Sequence, residues 1–236
     1  MNPTPLTPTP LGNVIVTGGS SGLGAAVVAA VDKAGGRAAV IDVNPPASAD
    51  IPHVIADVGD TAAAAAAVHT LVDELGGVDA VVTAAGVDAC GPLGEVSPEA
   101  WEKVVRVNLL GTASVVRAAL PELEARRGRV ITVASTLGFR AVGDATAYCA
   151  SKFGVVGFTR ALATELAGRV AVTLLVPGGM RTRFFDGRTE QYRPGPDAAL
   201  NDPEDVAATV MVALSQPWGC EVRELVVAAS TEPSWP

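Results

Sequence analysis

Seven short apolar runs, separated by helix-like stretches, constrain this chain more than any other feature. The runs are Val14–Thr17, Arg37–Asp42, His53–Ala56, Asp79–Ala84, Arg129–Ala134, Arg169–Val176 and Glu221–Ala228. Strands alternating with helices point to a parallel sheet covered by helices on both faces. The expected fold class is therefore α/β, a doubly wound parallel sheet of about seven strands. Thr61–Leu75 is an alanine-rich helix with Asp60 as its N-cap. A long helix starts at Pro98, capped by Ser97, and continues to Arg126 with the stripe Trp101, Val104, Val105 and Leu109. Asn108 lies inside it, where a polar amide is disfavoured and invites explanation. Asp202–Ser215 is a helix with Pro203 at its first position. Residues 1–11, alternating Pro and Thr, read as a loose tail. Residues 12–236 read as one domain, without internal repeats.

The candidate functional residues fall where these strands end, which is where ligands of open α/β sheets bind. The first run ends in GGSSGLG, with Gly18, Gly22 and Gly24 spaced G-x3-G-x-G. Such glycines permit a tight turn and let backbone N–H groups approach a pyrophosphate at a helix N-terminus. The second run ends in Asp42, 18 residues after Gly24. A carboxylate at that strand tip can bind both ribose hydroxyls of an adenosine and repels a 2′-phosphate. No arginine stands just before Gly22 or just after Asp42 to welcome that phosphate. NAD (NADH) is the expected cofactor, with NADP disfavoured.

The stretch STLGFRAVGDATAYCASK, Ser135 to Lys152, carries a hydroxyl, a phenol and an amine. Tyr148 and Lys152 are four apart in a helix running through Ala147, Ala150, Phe153, Val156 and Leu162, so they share a face. A phenol titrates near ~10, too high for a base at neutral pH. Bringing it to about 7 takes roughly 4 kcal/mol, which an ammonium beside a cationic cofactor ring is able to supply.

The formal net charge of −8 disfavours nonspecific binding to nucleic acid or anionic membranes. The arginines at 126, 127 and 129 suit a helix end. No uninterrupted apolar run reaches about 18 residues, so no membrane span is expected. Cys90, Cys149 and Cys220 are far apart, match no zinc or disulfide spacing, and suit a reducing compartment; no metal is expected. Cys149 reads as a small buried thiol. With no secretory signal at the start of the sequence, the expected location is cytoplasmic.

Together these residues resemble the short-chain dehydrogenase/reductase family, in its short single-domain branch, over roughly Leu11 to Ala228. TGGSSGLG is similar to its cofactor loop, with Thr17, Gly18, Ser20, Ser21, Gly22, Leu23 and Gly24 as contacts. Asp57 and Val58 are similar to its adenine contact, and Ala84, Ala85 and Gly86 follow the fourth strand beside the cofactor. PGGMRT resembles its nicotinamide segment, which assigns Pro177, Gly178, Met180 and Thr182 to that ring. VNLLG around Asn108, Ser135, and YCASK from Tyr148 to Lys152 resemble its catalytic tetrad.

The resemblance implies a Rossmann-type fold and hydride transfer between NAD(H) and a secondary alcohol or ketone. It casts Tyr148 as acid/base and Ser135 as the group that orients the substrate oxygen. Lys152 would lower the phenol's pKa, hold the nicotinamide ribose and, with Tyr148, contact the cofactor. Asn108 would anchor a water. The second functional class is a non-catalytic NAD-binding regulator or subunit, against which the intact tetrad argues. The family also implies a homotetramer or homodimer through Trp101–Arg126 and Thr146–Leu166, where Val116, Leu120, Val156, Phe158 and Leu162 suit either core or interface. One departure is Thr83-Ala84-Ala85-Gly86, where the family usually has an Asn in place of Thr83, which puts local stability in question.

Residues 180–201 are the expected substrate loop, with Arg181, Arg183, Phe184, Phe185, Arg188, Tyr192 and Arg193. Its four arginines with three aromatics are equipped to clamp an acidic or phosphate-bearing substrate, although a solvated loop balancing an acidic protein is the reading preferred. Residues 88–95 and 137–144 are the other expected pocket walls. The last helix and strand are similar to a branch that oxidises small 3-hydroxy acids, often with NADP, a preference that Asp42 opposes. The expected partner is thus a small alcohol or carbonyl compound.

Overall fold

The computed structural model of the chain describes residues 10–235; most of the expected N-terminal tail lies outside them. Seven parallel strands form one sheet: β1 (Asn13–Thr17), β2 (Arg37–Asp42), β3 (His53–Ile55), β4 (Ala80–Thr83), β5 (Arg129–Val133), β6 (Ala171–Pro177) and β7 (Glu224–Val227). Their order is β3-β2-β1-β4-β5-β6-β7, with β1 paired to both β2 and β4. The winding therefore reverses at β1, and a crevice opens there beyond the strands' C-terminal ends. The Rossmann-type doubly wound sheet is the one expected.

The helices are α1 (Gly22–Lys33), α2 (Thr61–Leu75), α3 (Pro98–Val105), α4 (Thr112–Arg126), α5 (Thr146–Glu165) and α6 (Pro203–Leu214). The pleat sends successive side chains to opposite faces. Ile15, Val81 and Val130 join Leu71, Val115, Leu123 and Leu162 in a core with α2, α4 and α5. Val14, Val16, Val82 and Ile131 join Val27, Val31, Val206 and Val210 in a second core with α1 and α6. Both sheet faces are thus buried, which is why the strand sequences are apolar almost throughout. Asp60 caps α2 through the amides of Ala62 and Ala63, and Ser97 caps α3 through Ala100, as expected. Arg126 serves a helix end, donating to the Gly76 carbonyl at the end of α2.

The long helix expected from Pro98 to Arg126 is interrupted. Arg106–Gly111 forms a π-helical turn between α3 and α4. Counted as one, Pro98–Arg126 is long and apolar enough to cross a membrane by length and composition alone. Its buried side chains Val104, Val107, Val115, Val116, Ala119 and Leu123 pack inside the protein instead.

Candidate active site

A cavity of about 1070 Å³ lies along the C-terminal ends of the strands. One end is built by the β1–α1 turn. Gly18 and Gly22 have φ of +70° and +51°, and a Cβ on Gly24 would stand 2.1 Å from the Gly18 carbonyl oxygen. Only glycine fits this turn. Ser21 opens α1 without a side-chain cap, so the helix N-terminus faces the cavity as an anion-binding end. Asp42, at the tip of β2, is oriented by two amides: Ser20 N–H donates to one oxygen and Asn44 N–H to the other, each at 3.0 Å. Each oxygen keeps a lone pair for a further donor. Asp57, Val58, Ala84, Ala85 and Gly86 line the adjoining wall, with Asp57 held by Gly59 N–H at 2.8 Å. Leu23, Pro177, Gly178, Met180 and Thr182 also line the cavity. Thr182 stands directly opposite Gly22, whose Cβ position is 3.3 Å from its side chain, while its hydroxyl accepts from Phe184 N–H.

Ser135 follows β5, accepts the Leu137 amide at 3.1 Å and lines the same cavity as the Tyr148 phenol. α5 presents Tyr148 and Lys152 to the same cavity, with Nζ 5.6 Å from the phenol ring centre. Lys152 is buried and donates to the Val133 carbonyl at 2.9 Å. Burial brings its ammonium down to about 8, with Asp88 opposing the shift. Burial pushes Tyr148 above its ordinary range, against the lowering pull of Ser135. Within the chain alone, desolvation outweighs the lowering pulls of Ser135 and Arg188.

Three of the expected residues stand behind the cavity wall. Thr17 is buried and accepts Ala85 N–H at 3.1 Å. Ser20 spans to Asp42 and Asn44. Asn108, in the π turn, accepts Val87 N–H and donates to the Val87 carbonyl, both at 2.9 Å, and donates to the Ser151 hydroxyl at 3.0 Å. Its amide thus clamps the loop after β4 to α5.

The expected substrate loop folds over the far end in two short 3-10 turns, Arg183–Phe185 and Glu190–Tyr192. Its arginines divide. Arg181 pairs with Asp202, and Arg183 with Asp186, both largely exposed. Arg188 turns inward to Asp88 at 2.8 Å. Tyr192 donates to Asp144 at 2.9 Å. Residues 88 and 144 thus bring both expected loop walls into contact with this segment.

The short chain dehydrogenase family description matches residues 12–193 of the sequence. This chain belongs to that family. It is therefore an oxidoreductase. A 2-dehydro-3-deoxy-L-rhamnonate dehydrogenase (NAD(+)) of Sphingomonas sp. is 40% identical over 182 residues, covering 73% of each chain. A D-threitol dehydrogenase of Mycolicibacterium smegmatis is 35% identical over 176 residues, covering 69% of this chain and 68% of the relative. In fold, the aldohexose dehydrogenase of Thermoplasma acidophilum matches with a TM-score of 0.82 at 23% identity, covering 92% of both chains.

Thr83, where the resemblance leads one to expect Asn, lies at the end of β4. Its hydroxyl is buried and has no hydrogen-bond partner. The chain's end also contributes what sequence reasoning missed. Glu232 accepts the Gly179 amide at 2.9 Å and the Ser234 hydroxyl at 2.6 Å, and Ser234 reaches Thr136 at 2.7 Å. Trp235 packs edge-on against Phe139 at 5.5 Å. The tail thus braces the Pro177–Gly179 turn. The run STEPSWP has no periodicity or motif that signals this, because the contacts that tie it to Gly179, Thr136 and Phe139 span tens of residues.

Proposed function

We propose that this protein is an NAD(H)-dependent dehydrogenase that interconverts a secondary alcohol and its ketone, with Tyr148 as acid/base. One observation carries the reading: Tyr148, Ser135 and Lys152 line the same cavity as the glycine turn and Asp42. Gly18, Gly22, Gly24 and the open end of α1 fit a pyrophosphate, and Asp42 fits a ribose diol. The carboxylate would repel a 2′-phosphate, which supports NAD over NADP. The named specificity of the Sphingomonas relative for NAD(+) agrees. One relative is named for a deoxy sugar acid and the other for a neutral polyol, which supports a hydroxylated, sugar-derived substrate.

When bound, nicotinamide supplies the acceptor or donor of hydride. Ser135 and Tyr148 grip the substrate oxygen, and Tyr148 takes or returns its proton. The burial that raises the phenol must be overcome by positive charge brought close to it. The Lys152 ammonium is one such charge, on the same helix face. Asn108 holds the loop that carries Gly86, where a Cβ would stand 3.7 Å from the Lys152 amine.

The test is fluorescence titration with NADH and with NADPH, followed by oxidation of secondary alcohols with NAD. Tight NADH, weak NADPH, and turnover lost in Tyr148→Phe are expected. Preference for NADPH would refute Asp42 as the ribose clamp, and turnover unchanged in Tyr148→Phe would refute the mechanism.

A further inference from the structure

Arg188 is an arginine built into a wall. Its Nη2 donates to Asp88 at 2.8 Å and its Nη1 to the Tyr192 carbonyl at 3.3 Å. Its guanidinium carbon lies 4.9 Å and 4.7 Å from the ring centres of Phe184 and Phe185. The Arg188 and Asp88 side chains are only 16% and 7% exposed. Such a guanidinium is pre-organised, losing little freedom when a ligand arrives. Its Nε, however, is buried and has no hydrogen-bond partner. A buried donor left unpaired is costly, and an oxygen supplied by a ligand removes that cost.

The position of this donor matters. The Phe184 ring that packs on Arg188 also packs on Tyr148, at 5.6 Å between ring centres. Arg188, Phe184 and Tyr148 line one cavity, with the Phe184 ring between the guanidinium and the phenol. The donor's surroundings argue against an anion. The Arg188 charge is already met by Asp88, and Asp144 lies close by, holding Tyr192. A carboxylate substrate would meet two carboxylates and one neutralised guanidinium. An apolar substrate would seal the N–H without a partner. A neutral hydroxyl can do both jobs, accepting from Nε and donating to a carboxylate. Asp88 has capacity for this: Oδ2 accepts from Arg188 and from the Cys90 thiol at 3.2 Å, while Oδ1 accepts Ala89 N–H at 2.7 Å and keeps a lone pair. Cys90 itself is a weak neutral donor, since burial and Asp88 push its thiol up to about 11.

We propose that Asp88 and Arg188 form a hydroxyl-reading subsite that selects a neutral polyol, or the matching hydroxyketone, over a sugar acid or an unfunctionalised alcohol. The subsite rests on the function proposed above and sets its substrate class.

The experiment compares kcat/KM with NAD for threitol and erythritol, for the four-carbon aldonates, and for butan-2-ol. A polyol should exceed both other classes by about tenfold or more: butan-2-ol lacks the hydroxyl that the site is built to bond, and an aldonate brings a third carboxylate to Asp88 and Asp144. Asp88→Asn removes the opposing charge and should shift the aldonate-to-polyol ratio by about tenfold towards the aldonate. Should that variant fail to fold by circular dichroism, the wild-type ranking decides alone. An aldonate preferred by the wild type, or a ratio unmoved in folded Asp88→Asn, overturns the subsite. Butan-2-ol oxidised as well as the polyols, with turnover lost in Tyr148→Phe, overturns the subsite and leaves the dehydrogenase reading standing. No turnover in any class, with NADH bound, overturns both.

Discussion

Thr83 aligns with Thr17 on β1 and Thr132 on β5, so three threonines stand side by side across the sheet. Thr17 serves the Ala85 amide, and Thr132 pairs with Thr159 at 2.6 Å. Thr83 alone of the three is buried without a partner. Thr83→Val keeps the shape and removes the orphan hydroxyl, so it should stabilise the protein by about 1 kcal/mol in urea denaturation; a loss of stability would show that the hydroxyl is paired. Lys152 gives a pH-dependent test. Its folded pKa, about 8, lies below the ordinary 10.5. Between these values the unfolded chain binds the extra proton, so this group makes stability rise with pH across that window. Below it both states are protonated and the burial cost stands in full. Relative to Lys152→Met, wild type should gain up to about 3 kcal/mol from pH 8 to 10.5. Denaturation curves that stay parallel across that range would contradict the assignment.

The π turn is the element that most changes the reading of the sequence. Asn108 is legible there as a polar amide out of place in a helix. The insertion is not, because its cause is remote. The backbone of Val87, on a loop without a strand partner, needs both a donor and an acceptor, and one side-chain amide supplies both. Opening the helix by a residue brings that amide into reach, a common arrangement at functional sites. Asn108→Ala leaves the Val87 N–H and carbonyl unpaired and should cost about 3 kcal/mol of stability. Hydrogen exchange at Val87 should quicken in step. Slow exchange at Val87 in the variant would mean the clamp lies elsewhere. The segment 180–201 was legible as an irregular stretch rich in arginine and aromatics, while the inward turn of Arg188 depends on Asp88, which is 100 residues away.

At the scale of the molecule, the fold was legible because alternation and apolar content repeat seven times. Each β-type run recurs as a strand, with ends moved by a residue or a few. The lining of the cavity was legible where it depends on local spacing, as in the glycine turn, Asp42 and the Tyr148–Lys152 pair. It was illegible where distant segments meet, as at Glu232. The surface offers the remaining prediction. Val116, Val156 and Leu162 are buried in the core, and Leu120 and Phe158 pack against it. The apolar groups left in solvent nearby are Leu110, 46% exposed, and Phe153, 44% exposed. They follow Leu109 and precede Gly154, which are packed together where the π turn meets α5. Gly157, one turn further along α5, has open space above it. An apolar strip beside small residues suits close approach of another copy, while the net charge of −8 opposes contact elsewhere. The wild-type chain should therefore run as a homo-oligomer in light scattering. Phe153→Glu places a charge in that strip and should shift the mass to a smaller species with circular dichroism unchanged. A monomeric wild type, or a variant of unaltered mass, would move the interface off this helix.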